Sequence, residues 1–443
     1  MEHEIEATGP TPVMDALSAL GRTEDVRFSP DGRRLAITCF HQGAVAVVDV
    51  EVSGDAPPRI ELTAITRLVC ADLEQPHGVD WLDERTLIVA DRAGWVGLLA
   101  VPDSCVGEAV DRQVDLLPFE GTFADVYGPG SVAVTRRSDG EAEVLVCNNW
   151  GNRITRNRLH RGGSWVVSDS RVCLERLLDL PDGVAVSPDG SWLAVSNHNR
   201  QVVVVYEGAA GHVDASNDID RAPIGVLRGT NYPHALRFTR DGERLLVADA
   251  GSPFVHSYRR SGDGWSVAGY PTSSLEVLER GEYEAGNIGP GEGGPKGLDL
   301  DRDERVLVVT CEEAPLRWFD RRAAEQAEPP SPADLVPLEI AALERESALK
   351  ARLAQAEQRV METETREHEA QALASRTADR AADVEQQAAE LSAWAAERIE
   401  AADRNADEAR RELEAMRATT AWRLLSPLRQ VYSRARHRGR SSS

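Results

Sequence analysis

The sequence has no long apolar run, and this absence excludes a membrane-spanning helix. No stretch of about 18 consecutive apolar residues occurs in the chain. The N-terminus is acidic and lacks the apolar centre of a secretory signal. We therefore expect a cytoplasmic protein, with a peripheral position at the inner face of the membrane as the alternative.

Several motifs that identify common protein classes are also missing. The chain has 6 cysteines but no CxxC pair, so we expect reduced thiols rather than a zinc or redox motif. No HExxH motif, serine-hydrolase elbow or phosphate-binding loop occurs. The net charge of −23 repels polyanions, which excludes nucleic acid as a partner. These absences favour binding over covalent catalysis.

What the sequence does contain is a repeat. Six similar stretches recur at intervals of about fifty residues, each with an alternating apolar pattern, a tight turn and a second alternating pattern. Four short antiparallel strands per copy are typical of a propeller blade, so we predict an all-β six-bladed propeller. A β-sandwich or two barrels are alternatives that the fixed period disfavours. The copies begin at Thr23, Pro76, Pro129, Pro181, Pro233 and Pro295.

Glycine and proline divide the chain into two compositional parts. All but one of the 35 glycines precede residue 321, and residues 338–426 lack proline, so a turn-rich part is followed by a helical part. We predict an N-terminal segment at 1–22 that contributes residues near 4–7 to ring closure, a propeller at 23–323, a proline-rich linker at 324–337, a long helix or coiled coil at 338–418 and a basic amphipathic tail at 419–443.

One repeat carries a family resemblance. The stretch PDGVAVSPDGSWLAVSNHNRQVVVV at 181–205 resembles an NHL repeat, and it is similar to blades of the gluconolactonase and senescence-marker-protein superfamily of six-bladed propellers. The resemblance covers about residues 20–320. Since propellers of this kind include lactonases, lyases and binding modules, it implies the fold more strongly than an activity.

The second residue of each copy begins an innermost strand, so these six residues should surround one end of the central channel. Imidazole and carboxylate groups together can hold a divalent cation, although a polar ring that holds only water is the alternative. The two histidines of this set, His77 and His234, come from copies three blades apart, and we expect them on opposite sides of the channel. The six residues are Glu24, His77, Gly130, Asp182, His234 and Lys296.

The resemblance implies roles for some of these residues. Glu24 stands where gluconolactonase-like propellers have a metal-binding glutamate, while Asp182 and His234 replace the usual Asn and Asp; Gly130 offers no ligand. The implied metal ligands are therefore Glu24, Asp182 and His234, with Ca²⁺, Zn²⁺ or Mn²⁺ as the ion. His77 and Lys296 are the catalytic candidates, for proton transfer or for pairing with substrate charge.

A second set of residues follows the second strand of each copy, where Asp or Asn commonly binds loop backbone. The members are Cys39, Asp91, Asn148, Asn197, Asp249 and Cys311. Asn148 and Asn149, in CNNWGN, are the candidate exceptions to this structural role. The candidate ligand-binding residues are His77, Asn148, Asn149, Asn197 and Lys296.

The predicted helix at 338–418 fits a heptad register with an alanine-rich seam. Alanines at 388, 395, 402 and 409 take position a, and Arg398 and Asn405 interrupt the seam. We predict self-association as a dimer or trimer, with a single helix held by charge pairs as the alternative.

The tail at 419–443 has six arginines and no acid. Its apolar stripe and flanking arginines suit an anionic membrane surface, a partner helix or a disordered basic end. The stretch AWRLLSPLR also resembles an SWRLTxPLR element that follows coiled coils in bacterial glycosyltransferases and methyltransferases of surface-polysaccharide synthesis. The candidate contact residues are Trp422, Arg423, Leu425, Leu428, Arg429 and Tyr432.

Two functions remain open at this stage. The first is a propeller-based binding or scaffold protein, with a protein, sugar or other small-molecule ligand, associated with polysaccharide synthesis. The second is a divergent metal-dependent lactonase or related hydrolase of the gluconolactonase-like superfamily.

Overall fold

The computed structural model describes residues 3–54, 57–138, 140–208, 222–262, 264–265, 269–286, 291–327 and 385–418. Residues 328–337 of the predicted linker, residues 338–384 of the predicted long helix and the basic tail lie outside these residues. Residues 324–326, which we predicted as the start of the linker, belong to the helix Arg321–Gln326. The chain divides into two compact units, residues 1–350 and 351–443.

The described part of the first unit forms six β-sheets, one for each repeat, which confirms the predicted six-bladed propeller. Each sheet runs outward from its innermost strand, the strand that begins with the repeat. In blade one the strands are Thr23–Phe28, Arg34–Cys39, Ala44–Ser53 and Arg59–Val69. In blade two they are Pro76–Asp83, Thr86–Asp91 and Trp95–Ala100. In blade three they are Pro129–Ser138, Glu141–Asn148, Arg153–Arg161 and Trp165–Leu174.

The second half of the ring follows the same plan. In blade four the strands are Pro181–Val186, Trp192–Asn197, Val202–Glu207 and Gly225–Leu227. In blade five they are Pro233–Phe238, Arg244–Asp249, Phe254–Arg259 and Ser273–Glu276. In blade six they are Leu298–Leu300, Val306–Val309 and Arg317–Asp320.

The turn between the first two strands explains the recurring Asp-Gly pair. In blade four the Asp189 carboxylate accepts hydrogen bonds from the Ser187 hydroxyl (2.6 Å) and the Ser191 backbone N–H (3.0 Å). Gly190 follows with φ of 72°, a conformation that glycine adopts without a steric penalty. The same aspartate contacts recur at Asp31 in blade one and at Asp241 in blade five.

The N-terminal segment joins the last blade to the first. Glu4 pairs in antiparallel fashion with Phe319, at the outer edge of blade six, and the Ile5 N–H donates to the Trp318 carbonyl at 2.8 Å. The next strand, Ala7–Thr8, pairs in parallel with the outer strand of blade one. The first residues of the chain therefore complete the ring through backbone hydrogen bonds to both neighbours.

Further short strands reinforce the outer rims of blades one and three. Ala109–Gln113 leaves blade two and pairs in parallel with the outer strand of blade one. Phe119–Glu120 pairs in parallel with the outer strand of blade three. Blade two keeps a single outer bridge, between Leu99 and Leu116.

Helices are few in the described residues. The α-helices of the first unit are Thr11–Ser18, Arg280–Ala285 and Arg321–Gln326, and short 3₁₀ turns occur at Phe40–Gln42 and His198–Arg200. In the second unit residues 385–418 form one continuous helix. No helix among the described residues combines the length and the apolarity needed to cross a bilayer.

The apolar core lies between neighbouring blades. Trp81, for example, is fully buried between blades one and two with Val45, Leu87 and Leu99. Its indole N–H donates to the Arg27 carbonyl of blade one at 3.1 Å, so packing and hydrogen bonding join the same two blades.

Aspartates on the innermost strands connect successive blades. The Asp25 carboxylate accepts the backbone N–H of Val79 in blade two at 3.2 Å, and Asp80 accepts that of Val134 in blade three at 2.7 Å. Asp299 in blade six returns to blade one, where it accepts the Phe28 N–H at 2.8 Å. Each carboxylate accepts a backbone N–H from the edge of the next inner strand that has no neighbouring strand in its own sheet.

Glycine at the third position of the repeat permits close approach of inner strands. A Cβ on Gly183 of blade four would lie 2.0 Å from the His234 carbonyl oxygen of blade five. The same position in blades two and six shows equivalent backbone contacts with the next blade, at Gly78 and Gly297. In blades two, four and six the spacing between blades therefore requires this glycine, whereas the other three blades have Asp25, Ser131 and Ala235 at the same position.

We predict that Gly183→Ala lowers the free energy of unfolding by about 2 kcal/mol, because the added methyl group overlaps backbone that cannot move alone. Urea unfolding of the full chain measures this change. The control is Gly281→Ala, in a helix where a Cβ would meet nothing within 4 Å; its stability should match or slightly exceed that of the wild type. Equal stability of both variants would contradict the close-approach argument.

Candidate functional site

The residues that begin the inner strands meet at one end of the channel. Glu24, His77, Asp182, His234 and Lys296 are all buried, with at most 3% of each residue exposed. The sixth residue is Gly130. A Cβ on Gly130 would lie 2.1 Å from the Asn149 side-chain oxygen, so Asn149 occupies the space that a side chain at position 130 would take.

Glu24 lies at the centre of this group. Its Oε2 atom is 3.5 Å from His77 Nε2, 3.6 Å from His234 Nε2 and 3.7 Å from Lys296 Nζ. These distances exceed those of normal hydrogen bonds, and this buried oxygen has no hydrogen-bond partner. The other carboxylate oxygen pairs with Arg22. Residues from blades two, five and six therefore converge on one carboxylate oxygen of blade one.

Asp182 forms a second centre beside the first. Its Oδ2 atom lies 3.1 Å from His234 Nε2. Its Oδ1 atom accepts hydrogen bonds from the Asn149 amide at 2.5 Å and from Arg92 at 3.2 Å. His234 thus stands between the two carboxylates and links them.

The structure corrects the expected placement of the two histidines. We expected His77 and His234 on opposite sides of the channel, because their blades are three apart. Instead the two rings stack, with centroids 5.3 Å apart and an interplanar angle of 26°. The channel is narrow at this end, so side chains from opposite blades reach each other across the axis.

The two carboxylates are ionised despite their burial. Burial opposes ionisation, but Lys296, the imidazole of His77 once it is protonated in acid, and Arg22 hold the pKa of Glu24 at about 2. Burial likewise opposes ionisation of Asp182, but His234 in its protonated form and Arg92 outweigh it, so that the pKa of Asp182 falls below its usual range. Buried carboxylates of this kind require compensating positive charge close by.

The imidazoles have the opposite tendency. Burial and the Arg92 guanidinium lower the pKa of His77 well below its ordinary value. Burial also lowers the pKa of His234, although Asp182 opposes the shift. Arg92 Nη2 lies 2.8 Å from His77 Nε2, which fits donation to an unprotonated ring nitrogen. Both rings are therefore neutral near pH 7, and Arg92 and Lys296 supply the positive charge.

An outer layer of charged residues lies over this ring. Glu292 belongs to a glycine-rich insert at 279–297, which precedes the inner strand of blade six. Its carboxylate lies 3.1 Å from Lys296 Nζ and 3.2 Å from His198 Nε2. His198 Nδ1 is in turn 3.7 Å from Asp182. Burial opposes protonation of His198, but Glu292 raises its pKa. The insert therefore caps the ring at its Lys296 side.

Sequence reasoning missed four members of this site, namely Arg22, Arg92, His198 and Glu292. A signal was present for three of them. Arg22 precedes the first repeat directly, and Arg92 and His198 each follow the residue that ends a second strand. The residues next to the second residue of each copy, and those next to the residue that ends each second strand, are therefore candidates for the site as well. Glu292 had only its place in an unusually long insert as a signal.

The residues that end the second strands bind loop backbone. Asn148 accepts the Tyr127 N–H at 2.9 Å, and Asn197 accepts the Asp179 N–H and donates to the Leu177 carbonyl, both at 2.7 Å. These contacts hold the loop that leads into each inner strand. The ligand-binding roles of Asn148, Asn149 and Asn197 remain predictions.

One subset of the ring has the spacing of metal ligands. Glu24, His77 and His234 each offer a ligand atom, and these atoms lie within 4.8 Å of one another. This set differs from the implied set of Glu24, Asp182 and His234, because His77 takes the place of Asp182. Asp182 is adjacent to these three residues, since its Oδ2 atom contacts His234 Nε2.

The chain is similar to one protein family and to several solved structures over part of its length. Residues 4–105 match the model of the Gmad1 family, the lipoprotein LpqB beta-propeller domain. No curated protein matches the chain. A functionally unknown protein from Desulfotomaculum acetoxidans DSM 771 is 14% identical, with a TM-score of 0.43, over 67% of this chain and 82% of that one. The PQQ domain of pyranose dehydrogenase from Coprinopsis cinerea is 14% identical, with a TM-score of 0.45, over 68% and 93% respectively.

We predict that His77→Gln makes the stability of the protein less sensitive to acid. The lowered pKa of His77 means that the unfolded chain binds the extra proton first, so His77 destabilises the fold as pH falls below about 6.5. Relative to the variant, the wild type should lose up to about 1.4 kcal/mol per pH unit between pH 6.5 and 5. Urea unfolding of chelator-treated protein at several pH values measures the difference.

The control is His160→Gln, which removes an exposed imidazole from blade three and should keep the wild-type pH dependence. If the pH dependence of His77→Gln were the same as that of the wild type, His77 would not be held neutral by its surroundings.

Proposed function

We propose that this protein is a binding protein whose propeller holds a carbohydrate at the end of the channel described above. The observation that carries this proposal is a pair of exposed aromatic side chains beside the ring. Tyr127 is 58% exposed and Trp150 is 52% exposed, and their ring centroids lie 5.9 Å apart at 73°. Exposed aromatic faces on a soluble protein often mark a binding surface.

The aromatic pair is held in a fixed position. Gly128 has φ of 54°, and a Cβ on it would overlap the indole of Trp150 at 2.3 Å. The Tyr127 N–H donates to the Asn148 side chain, and the Asn149 N–H donates to the Gly128 carbonyl at 3.1 Å. Fixed aromatic side chains lose little conformational entropy on binding, which favours affinity.

The surroundings of the pair supply polar groups suited to sugar hydroxyls. Asn149 connects Trp150 to the ring, because it precedes Trp150 in the chain and its side-chain amide donates to Asp182. Its buried side-chain oxygen has no hydrogen-bond partner. Arg153 and Asp125, 3.8 Å apart, offer a donor and an acceptor nearer to solvent. A sugar needs an apolar face to stack on together with donors and acceptors for its hydroxyls. The resemblance of the tail favours a bacterial surface polysaccharide as the source of that sugar.

The state of the inner ring supports binding rather than catalysis. Glu24, His77, Asp182, His234 and Lys296 are buried and interact mainly with one another. A reacting group must touch its substrate, which these residues do not allow unless Glu292 and Arg92 move away. On this proposal the ring supports the binding face and does not itself perform a reaction.

We predict that Trp150→Ala weakens carbohydrate binding at least tenfold, because the stacking surface is lost. The full chain is first tested on an array of bacterial glycans, and the affinity for a bound glycan is then measured by calorimetry. The control is Tyr270→Ala, which removes another exposed aromatic side chain, 69% exposed, between blades four and five. Absence of glycan binding, or equal affinity of the wild type and Trp150→Ala, would contradict the proposal.

A second candidate function, a metal-dependent hydrolase, has an observation of its own in its favour. Glu24, His77 and His234 form a two-histidine, one-carboxylate donor set of the kind that binds Zn²⁺, Mn²⁺ or Fe²⁺. The buried Glu24 Oε2 without a hydrogen-bond partner and the two neutral imidazoles fit such an ion. When bound, the ion would activate water or polarise a carbonyl group.

Two cations oppose metal binding in this arrangement. Arg92 interacts with His77 Nε2, the atom that would ligate the ion, and Lys296 lies 3.7 Å from Glu24 Oε2. An ion would therefore have to displace Arg92 from His77. This competition ranks the hydrolase below the binding protein.

We predict that Arg92→Gln increases the affinity for Zn²⁺ about tenfold over the wild type, because the competing guanidinium is removed. Glu24→Gln in the Arg92→Gln background should abolish the gain. Calorimetric titration of chelator-treated protein measures both effects, and Arg85→Gln, which removes an exposed arginine, is the matched control. Equal affinities for Arg92→Gln and Arg85→Gln would remove the metal-dependent hydrolase from consideration.

A further inference from the structure

The helix at 385–418 leaves large apolar side chains exposed to solvent. Ile399 is 63% exposed and Leu413 is 37% exposed. A helix in water normally buries such side chains against another surface. Ile399 and Leu413 therefore mark a candidate docking face.

From residue 398 onward the large apolar residues and three of the alanines lie in one heptad register. Ile399, Ala406 and Leu413 take position a of this register, and Ala402, Ala409 and Met416 take position d. The register differs from the one fitted to the longer sequence, which placed the alanines at a and left Arg398 and Asn405 inside the seam. Here Arg398 and Asn405 move to flanking positions, and no charged residue remains in the seam between 399 and 416.

The residues beside this seam are polar or charged. They are Arg398, Asn405 and Glu412 at position g, and Asp403, Arg410 and Arg417 at position e. A stripe only two positions wide, with charged edges, suits a two-stranded coiled coil; bundles with more helices use wider apolar faces.

We propose that this seam pairs in parallel with the same seam of a second copy of the chain. In a parallel pair, each g residue faces the e residue five positions further along the partner. Arg398 then faces Asp403 of the partner subunit, and Glu412 faces Arg417 of the partner subunit. By symmetry each contact forms twice, so four pairs of opposite charge flank the seam.

The ion pairs within the helix leave these contacts possible. The intrahelical pairs along this part of the chain are Arg404 with Glu400 and Arg410 with Asp407. Neither ion pair uses the four residues of the interchain pairs. Arg398 lies over the Trp394 ring of the same helix, with its Cζ atom 5.2 Å from the ring centroid, and it would leave this contact to face Asp403 of the partner subunit. This inference does not rest on the proposed function, because it concerns the second unit alone.

The first test is the mass of the full chain in solution. Sedimentation equilibrium at tens of micromolar should give about twice the 48.3 kDa of the single chain. Leu413→Asp should shift the protein to the single-chain mass, while Glu414→Asp, at an outward position, should remain dimeric. Circular dichroism shows whether the propeller is retained. A single-chain mass or a trimer mass for the wild type would overturn the proposal.

The second test concerns the charged pairs. Arg398→Glu should weaken the dimer about tenfold, because two attractive pairs become repulsive. Adding Asp403→Arg should restore the affinity, since the opposite charges are exchanged rather than lost. Failure of the double variant to recover would show that these residues do not face each other.

The third test decides the orientation. In a parallel dimer Ala402 lies opposite Ala402 of the partner subunit, so Ala402→Cys should form an interchain disulfide under mild oxidation. In an antiparallel dimer built on the same seam these positions would be about 16 Å apart. Ala401→Cys, at an outward position, and the wild type with its six native cysteines are the controls. A dimer that crosslinks no better through Ala402→Cys than through Ala401→Cys would overturn the parallel arrangement.

Discussion

The close approach of six inner strands around one axis is the constraint on which the rest of the structure depends. Gly183 lets blade four come into backbone contact with blade five, and aspartates such as Asp25 and Asp299 satisfy the backbone of the following blade. Glu4 extends blade six, and the strand that follows it pairs with blade one. Because the ring is narrow, the side chains that begin these strands meet in a small volume.

This convergence has an electrostatic consequence. Two buried carboxylates, Glu24 and Asp182, are brought together, and Lys296 and Arg92 compensate their charge. The imidazoles between them therefore need not be protonated, since the charge is already balanced. The same arrangement explains why an added divalent cation would have to compete with Arg92 for His77.

The sequence was sufficient to predict the repeat, the six blades and the positions that meet at the channel, because fixed spacing and the P-x-G pattern encode them locally. It was not sufficient to predict the stacking of His77 on His234, which depends on the channel radius. Glu292 was missed because an insert outside the repeat brings it to the ring, and Arg92 was missed because only the residue before it, Asp91, was considered. The heptad register stays a prediction: the alanines fit one seam, and the exposed Ile399 and Leu413 favour the other, which is the one proposed above.

The central claim is that the channel end is balanced by Lys296 and Arg92 while its imidazoles stay neutral. Histidine-selective NMR of chelator-treated protein tests this directly, with the His77 and His234 signals assigned from single glutamine variants. The account predicts that His77 remains neutral at pH 5.5, where exposed histidines are mostly protonated, and that His234 gains its proton only below pH 6.5. Protonation of His77 or His234 with a midpoint at or above pH 6.5 would contradict it.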